Sequence, residues 1–459
     1  MMNAPPAWTL WLMLLPVAVG LGGVILLLLF PSRPNSHGAA RWARPGEVKS
    51  FYKSAGPVLG RDGKGKLLRA SGDAPLITIA PPRSEKGGGQ IIPTLLLETG
   101  SVIVIDPKGE AARATASHRE KFGPVHIIDP FGTTGQPGAK YNPLAGLNAS
   151  PTMIEDAFQI AEAIVPDGEG DNPHFADGAR DLIRSIILHI CQSYPEGERH
   201  LFTLRQILNQ PGEKLWQTLT EMSFSPLDAI NGPARQQLAR EAKEAAGMIS
   251  TAGRNTGWLD SVAVSSSLEK SDFCFADLKN ETGTVFIVLP PTKIASFARW
   301  LRLITVCVIA DFERDPLPQS GCLFIVDEAA ALGRLRALET AYSVMTGYGL
   351  RTWSFWQNVH QLKSNGADSL LSASGTQIYS DVADLDTAKL VSGNLGDETV
   401  LIGKKPNIQR VSRPLLAPEL VRQERRLIIF ERGKLAVRAH KIRWWEDKQM
   451  AGLGHNERS

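Results

Sequence analysis

The chain has 459 residues, of which 43% are hydrophobic, and it carries a formal net charge of only +3. This composition excludes an intrinsically disordered chain, and the near balance of charge excludes a protein coated with basic residues for nucleic-acid binding, although a local basic pore stays compatible with it. The length exceeds what one hydrophobic core usually holds, so we expect two globular units in addition to any membrane anchor.

The first predicted element is a membrane anchor. Residues 7–30 contain no charged side chain and are dominated by Leu, Val and Ile. About twenty apolar residues, at about 1.5 Å each, match a hydrocarbon core of about 30 Å. A cleaved signal peptide is the alternative, but no Lys or Arg precedes the run, which is long for such a peptide. Basic residues follow it, starting at Arg33, so residues 1–31 are predicted to be a single-pass inner-membrane anchor with a cytoplasmic body.

A candidate phosphate-binding loop comes next. Residues 76–79 predict a buried strand, and a Gly-rich loop with Lys86 and an apolar helix start follow. In such a loop, backbone N–H groups wrap the phosphates and the lysine reaches the β- and γ-phosphate oxygens. A strict GxxxxGK[ST] pattern is not met, and a polar surface loop is the alternative. We assign nucleotide binding to Arg83, Ser84, Glu85, Lys86, Gly87 and Gly88.

Two further apolar runs, 101–105 and 125–128, each end in an Asp-Pro loop, at Asp106 and Asp129. Continuous apolar strands are typical of a parallel sheet with both faces covered, and ligands of such sheets bind at the carboxyl ends of the strands. Turn capping is the alternative role for both aspartates.

The central part of the chain has a different pattern. Residues 151–276 show no convincing strand, and their apolar residues recur at helical spacing, as in the runs 176–192 and 233–249. The sequence therefore predicts an all-α domain at 151–276, inserted into an α/β domain formed by 32–150 and 277–459.

Acidic and amide side chains end the later strands. Predicted strands occupy 284–289 and 322–326, and the second ends in Asp327 and Glu328, as in a Walker B strand. We assign Mg²⁺ to Asp327, and we assign the orientation and deprotonation of the attacking water to Glu328. A strand at 351–356 ends at Gln357, a candidate sensor of the γ-phosphate, with a solvent-facing amide as the alternative. ATP and Mg²⁺ are the predicted cofactors.

With these motifs in place, the chain resembles the type IV secretion coupling proteins, the TraG/TraD-like conjugation ATPases. The resemblance is carried, in order along the chain, by HGAARWA at 37–43, APPRSEKG at 80–87, IPTLL at 92–96, DPKGE at 106–110, YNPL at 141–144, DEAAALG at 327–333, GYGLR at 347–351, the segment 357–362, and DTAK with Ser392 at 386–392.

The resemblance implies a RecA-like P-loop NTPase domain with a mostly parallel sheet, interrupted by an all-α domain that faces the cytoplasm. It also implies a membrane-anchored, hexameric coupling ATPase that recruits single-stranded DNA or protein substrates and drives their transfer. The implied partners are the relaxosome and the components of the type IV secretion channel.

Two residues depart from the family pattern. Glu85 stands where the family has a glycine, and a carboxylate about 5 Å from a phosphate charge costs about 3 kcal/mol at an effective dielectric near 20. If Glu85 points outward, only a backbone cost of about 1–2 kcal/mol remains. Thr346 replaces an arginine of several relatives, and Arg351 is a possible substitute whose place on a strand favours a structural role.

Three functions are therefore compared. A slow or conditional ATPase motor is favoured by the Walker B acid pair, and a nucleotide-binding but inert docking receptor is favoured by Glu85. A DNA-pumping septal translocase is disfavoured by the single anchor, the helical insertion and the short tail after Glu431. In that tail, basic residues beside Trp444 and Trp445 predict a terminal strand and helix on the domain edge, with contact to nucleic acid or lipid as the alternative.

Overall fold

The computed structural model describes residues 37–147, 150–166, 173–314, 321–403 and 407–456. The predicted membrane anchor lies outside these ranges, and within them no helix is both long and apolar enough to cross a membrane. The strands in the described ranges are β1 (Val58–Arg61), β2 (Leu67–Arg69), β3 (Leu76–Ile79), β4 (Ser101–Ile105), β5 (Val125–Ile128), β6 (Thr284–Ile287), β7 (Cys322–Val326), β8 (Leu350–Trp356), β9 (Thr376–Tyr379), β10 (Asp397–Ile402), β11 (Gln409–Pro414), β12 (Leu427–Glu431) and β13 (Val437–Ala439).

A nine-stranded sheet forms the centre, in the order β13-β12-β9-β3-β8-β7-β4-β6-β5. The strands from β9 to β5 are parallel to one another, and β12 and β13 add an antiparallel edge. Every residue of β3, β4, β6 and β7 is buried, since helices cover both faces of a parallel sheet and favour continuous apolar strands. The predicted α/β class with a mostly parallel sheet is confirmed.

Helices fill the remaining described ranges. The α-helices are Pro45–Val48, Ile92–Leu97, Glu110–Arg119, Met153–Ile164, Pro173–Ser193, Leu201–Leu208, Gly212–Ser223, Asp228–Ala239, Ala242–Thr256, Val262–Ser267, Pro291–Arg314, Arg336–Ser343, Val359–Ser364, Ser369–Ala373, Leu385–Leu395 and Pro418–Val421. Short 3₁₀ turns occur at Lys49–Phe51, Glu196–Glu198, Gly257–Asp260, Phe275–Lys279, Ala329–Leu332 and Met345–Tyr348, and a π-turn at Gly87–Ile91.

Between β5 and β6 the described residues form helices and no strand, as the sequence predicts. In the helix Pro173–Ser193, the predicted apolar stripe of Ile183, Ile186, Ile187 and Ile190 is fully buried. The run predicted at 233–249 is not one helix, because the chain is extended at Arg240 and separates two helices there. The treatment of 151–276 as a separate domain stays a prediction.

The chain divides into two compact units. The smaller unit contains, among the described residues, 37–42 and Ala388–Val421, and it includes the antiparallel hairpin β10–β11. In this unit the Ala40 amide donates to the Asp397 carbonyl at 2.9 Å. The larger unit, Ala43–Thr387 with Arg422–Ser459, contains the central sheet.

The seven parallel strands place the loops that follow them at one edge of the sheet. Because β3, β4, β7, β8 and β9 run in the same direction, the loops that follow them emerge together at their carboxyl ends. Backbone hydrogen bonds fix this edge: the Ala80 amide donates to the Trp356 carbonyl at 2.8 Å, and the Asp327 amide donates to the Ile105 carbonyl at 3.2 Å. The candidate site lies at this edge.

Candidate nucleotide-binding site

Strained backbone is concentrated at the carboxyl ends of the strands. Among the residues that the structure describes, four residues other than glycine have a positive φ: Arg83 (65°), Glu85 (64°), Glu328 (58°) and Asp381 (47°). They follow β3, β7 and β9. The left-handed conformation costs an L-residue roughly 1–2 kcal/mol, and residues held in it are enriched at functional sites. The backbone thus marks the same edge as the motifs do.

The structure brings together Lys86 and the acid pair of β7. The Lys86 Nζ lies 2.9 Å from Asp327 Oδ1 and 3.3 Å from Glu328 Oε2. Burial by itself lowers the pKa of Lys86, but the two carboxylates outweigh this effect and raise its pKa above the usual value. The lysine is therefore a cation at neutral pH, positioned between the loop after β3 and the end of β7.

Gln357 completes this cluster from β8. Its amide donates to Oε1 of Glu328, the oxygen that Lys86 does not contact. Gln361 Oε1 accepts the Gln357 backbone N–H at 2.8 Å, and the buried Thr387 hydroxyl accepts the Val359 N–H at 3.0 Å, which fixes the turn after β8. The structure therefore places Lys86, Asp327, Glu328 and Gln357 in one cluster of contacts.

Asp106 and Asp129 both accept backbone hydrogen bonds. Asp106 Oδ2 accepts the Ala112 N–H at 2.8 Å, at the start of the helix Glu110–Arg119, and Asp129 Oδ2 accepts the Thr134 N–H at 2.7 Å. The contacts agree with the capping alternative for both residues. Burial, with a further contribution from Asp327, raises the pKa of Asp106 to about 7.

The phosphate-binding loop itself turns into a helix without a strict P-loop sequence. The Gly89 amide donates to the Glu85 carbonyl at 2.7 Å, and the π-turn Gly87–Ile91 continues into the next helix. The Ser84 hydroxyl is buried and has no hydrogen-bond partner within the described part of the chain. Arg83 is exposed and lines a pocket of about 720 Å³ beside the loop.

A C-terminal segment, residues 441–447, packs on this loop. A Cβ added to Gly88 would lie 2.6 Å from Cζ3 of Trp445, and one added to Gly89 would lie 3.1 Å from the Ile442 carbonyl oxygen. The Trp444 amide donates to the Gly88 carbonyl at 3.3 Å. The close approach of the C-terminal segment thus leaves little room for a side chain at Gly88 or at Gly89.

Two charged contacts in this region were not found by sequence reasoning. Arg443 Nε lies 3.2 Å from Glu85 Oε2, and Lys441 pairs with Asp381. The basic and aromatic composition of the tail was a visible signal, but no motif relates residue 443 to residue 85. Arg351 lies at the beginning of β8, away from the site, and donates to the carbonyls of Ala74 and Ser71, so its favoured structural role agrees with its contacts.

The donor set fits a nucleoside triphosphate with Mg²⁺. The loop after β3 offers a cationic Lys86 and an unpartnered, buried Ser84 hydroxyl, and the end of β7 offers the two carboxylates that a hard divalent cation prefers. A lysine-bearing Gly-rich loop between a strand and a helix, together with a parallel strand of the same sheet that ends in Asp-Glu, is typical of P-loop NTPases.

Comparison with known proteins identifies the family. The chain matches the family described as "Type IV secretory system Conjugative DNA transfer" over residues 42–457, and it belongs to that family. Protein VirD4 of Agrobacterium fabrum is 29% identical, and the match covers 96% of this chain and 71% of that protein. Conjugal transfer protein TraG of Escherichia coli is 27% identical, and the match covers 87% of this chain and 74% of TraG.

A solved structure shares the fold. The plasmid coupling protein TrwB, in complex with the non-hydrolysable ATP analogue ADPNP, superimposes with a TM-score of 0.69 over 90% of this chain and 96% of the TrwB chain. The sequence identity is 17%, so this likeness concerns the fold.

Proposed function

We propose that this protein is a nucleotide-dependent coupling protein of a type IV secretion system, which recruits DNA or protein substrates and drives their transfer with ATP. The contact of Lys86 with the acid pair Asp327 and Glu328 carries the proposal. A cation between the phosphate loop and a Walker B pair is what phosphoryl chemistry needs, and the family membership supplies the biological setting.

Each residue of the site has a separate role in this proposal. Lys86 exchanges its carboxylate partners for β- and γ-phosphate oxygens, and Ser84 offers its free hydroxyl to the same group. Asp327 is the residue that would hold Mg²⁺, which when bound neutralises the phosphate charge. Glu328, released by Lys86, orients the attacking water and accepts its proton, and Gln357 keeps the Glu328 carboxylate aimed at that water. Arg83, Gly87 and Gly88 line the phosphate loop.

We also propose how the rest of the chain is arranged. Residues 7–30 form a single inner-membrane span and the bulk of the chain is cytoplasmic. The segment 151–276 is an all-α domain that meets substrates or the relaxosome. The chain assembles as a homo-hexamer that contacts the components of the secretion channel, and single-stranded DNA or protein passes through its centre.

One observation favours a second candidate, an inert docking receptor. Glu85 places a carboxylate in the phosphate loop, where it opposes nucleotide binding if it turns inward. In that case the chain recruits substrates while another ATPase supplies the energy. The intact cluster of Lys86, Asp327, Glu328 and Gln357 supports the motor instead.

The test is phosphate release by the full-length protein, with and without single-stranded DNA. The proteins are wild type, Lys86→Ala, Glu85→Gly and, as a matched control, Lys121→Ala, which removes an exposed lysine that precedes β5 at the opposite edge of the sheet. We expect turnover by wild type and by the control, and none by Lys86→Ala. A silent wild type whose Glu85→Gly variant gains turnover would establish the receptor.

A further inference from the structure

We propose that Arg443 is a positioning residue that holds the Glu85 carboxylate away from the nucleotide phosphates, and that this contact makes a phosphate loop without its usual glycine able to bind. The inference rests on the proposed nucleotide binding. Arg443 lies 358 positions from Glu85 in the sequence.

The backbone at Glu85 already has the glycine-type conformation. Its φ is 64°, so the loop curls as a glycine would allow, and the N–H groups beyond it begin the next helix. What a glycine would lack is the carboxylate. That carboxylate lies 3.2 Å from Arg443 Nε, at the rim of the pocket beside the loop. Whether Glu85 repels a phosphate therefore depends on the direction of its side chain, and the ion pair with Arg443 sets that direction.

Arg443 is presented by a packed segment. Its neighbours Ile442 and Trp444 are 2% and 3% exposed, and the Trp444 amide donates to the Gly88 carbonyl. The Lys441–Asp381 pair holds the same segment near the end of β9. The guanidinium therefore starts from a backbone fixed against the phosphate loop, although its own side chain is half exposed.

Glu85 in turn affects the pKa of Arg443. The hydrogen bond and charge of Glu85 raise the pKa of Arg443, with a smaller contribution from Glu446, whose carboxylate lies 3.5 Å away. Arg443 therefore contacts two carboxylates, that of Glu85 in the phosphate loop and that of Glu446 in its own segment. The pair is thus arranged to draw Glu85 outward.

Removal of Arg443 leaves Glu85 free to rotate toward the phosphates. Unscreened repulsion between the Glu85 carboxylate and a phosphate about 5 Å away would lower the affinity for nucleotide about 100-fold. Solvent screening at this half-exposed site reduces the effect. We expect Arg443→Ala to raise the Kd of an ATP analogue roughly 3- to 10-fold. In a Glu85→Gly background the same substitution has no carboxylate to release, so Kd should change less than about 2-fold.

The experiment is a double-mutant cycle with the full-length protein and the non-hydrolysable ATP analogue, read by calorimetry. Arg425→Ala is the matched control, because Arg425 lies on the same pocket rim but contacts Asp381 instead of Glu85. Arg443→Lys keeps a charge near Glu85 and should restore most of the affinity. AMP, which lacks the β- and γ-phosphates, should be affected less than the triphosphate analogue.

The outcomes separate the inference from the proposed function. Equal weakening by Arg443→Ala in both backgrounds means that Arg443 contacts the nucleotide itself, and no weakening in either means that the pair has no effect; both overturn the inference while nucleotide binding stands. Binding that appears only after Glu85→Gly overturns it as well, because the pair then fails to protect the site. Absence of binding in every variant, Glu85→Gly included, refutes the proposed nucleotide function, and the inference falls with it.

A measurement without nucleotide checks the pair directly. Thermal unfolding should be measured for wild type, Arg443→Ala, Glu85→Gly and the double variant. The changes in midpoint should not be additive, since each single substitution removes the same contact. Additive midpoints would overturn the claim that Arg443 holds Glu85.

Discussion

A methyl group at Gly88 meets the ring of Trp445, whereas the same methyl group at Gly87 meets nothing within 4 Å. Both glycines lie in the π-turn Gly87–Ile91. At Gly87 an alanine should stabilise the turn by about 0.4–1 kcal/mol, because it restricts the unfolded chain. At Gly88 the Cβ would lie 2.6 Å from Cζ3 and 3.3 Å from Cη2 of Trp445, and such overpacking typically costs about 1–3 kcal/mol. The restriction of the unfolded chain is the same for both alanines, so we expect Gly88→Ala to be less stable than Gly87→Ala by the overpacking cost, about 1–3 kcal/mol.

The assay is thermal unfolding of the full-length protein without nucleotide, where this difference corresponds to a few degrees in Tm. Trp445→Ala provides the internal control. It should cost stability in the wild-type background and cost less, or nothing, in the Gly88→Ala background, because it removes the overlap. Equal midpoints for Gly87→Ala and Gly88→Ala, or an equal cost of Trp445→Ala in both backgrounds, would refute the claim that the tail packs on the phosphate loop.

Three further predictions concern the edge of the sheet. Glu328→Gln should bind nucleotide within about 3-fold of wild type but lose roughly 100-fold or more in turnover, measured as phosphate release, because it removes the proposed base. Asp106→Asn keeps an acceptor for the Ala112 amide but cannot ionise. Folding raises the pKa of Asp106 from 3.8 to about 7, so ionisation of this residue should reduce the stability of wild type, but not of the variant, as pH rises through that window. Thermal unfolding at pH 5 and pH 8, without nucleotide and Mg²⁺, should show the variant gaining on wild type at pH 8, and a constant difference would contradict this. Thr387→Val should cost about 1–3 kcal/mol by leaving the Val359 amide unsatisfied, whereas Thr387→Ser, which keeps the hydroxyl, should cost less in the same unfolding assay.

The buried strands were predictable because a strand covered on both faces must be continuously apolar. The sequence located β3, β4, β5 and β7 with their observed bounds, and it placed β6 and β8 to within two residues. Two of the strands that it missed, β10 and β11, are largely exposed, whereas β12 is apolar and mostly buried and was missed all the same. The burial pattern of β11, for example, is almost entirely exposed, so no apolar periodicity distinguishes it from a loop.

The candidate site was also predictable in part from the sequence. The chemistry of Lys86, Asp327, Glu328 and Gln357 was readable because each follows an apolar strand, and parallel strands bring their carboxyl ends to one edge. Their actual distances depend on the order β3-β8-β7, which places Gln357 directly beside the acid pair. β3 and β8 are distant in sequence, so periodicity does not give that order.

By itself, the sequence determined the α/β class and the departure at Glu85, and it predicted the residues that bind phosphate and metal. Each follows from local composition and from the short-range order of strand, loop and helix. Only the tertiary structure decided what surrounds Glu85. The approach of residues 441–447 to the phosphate loop buries Trp444, places Trp445 on Gly88 and pairs Arg443 with Glu85. Such contacts depend on how a terminal segment packs on a completed sheet, and no local pattern encodes which side chain it will meet there.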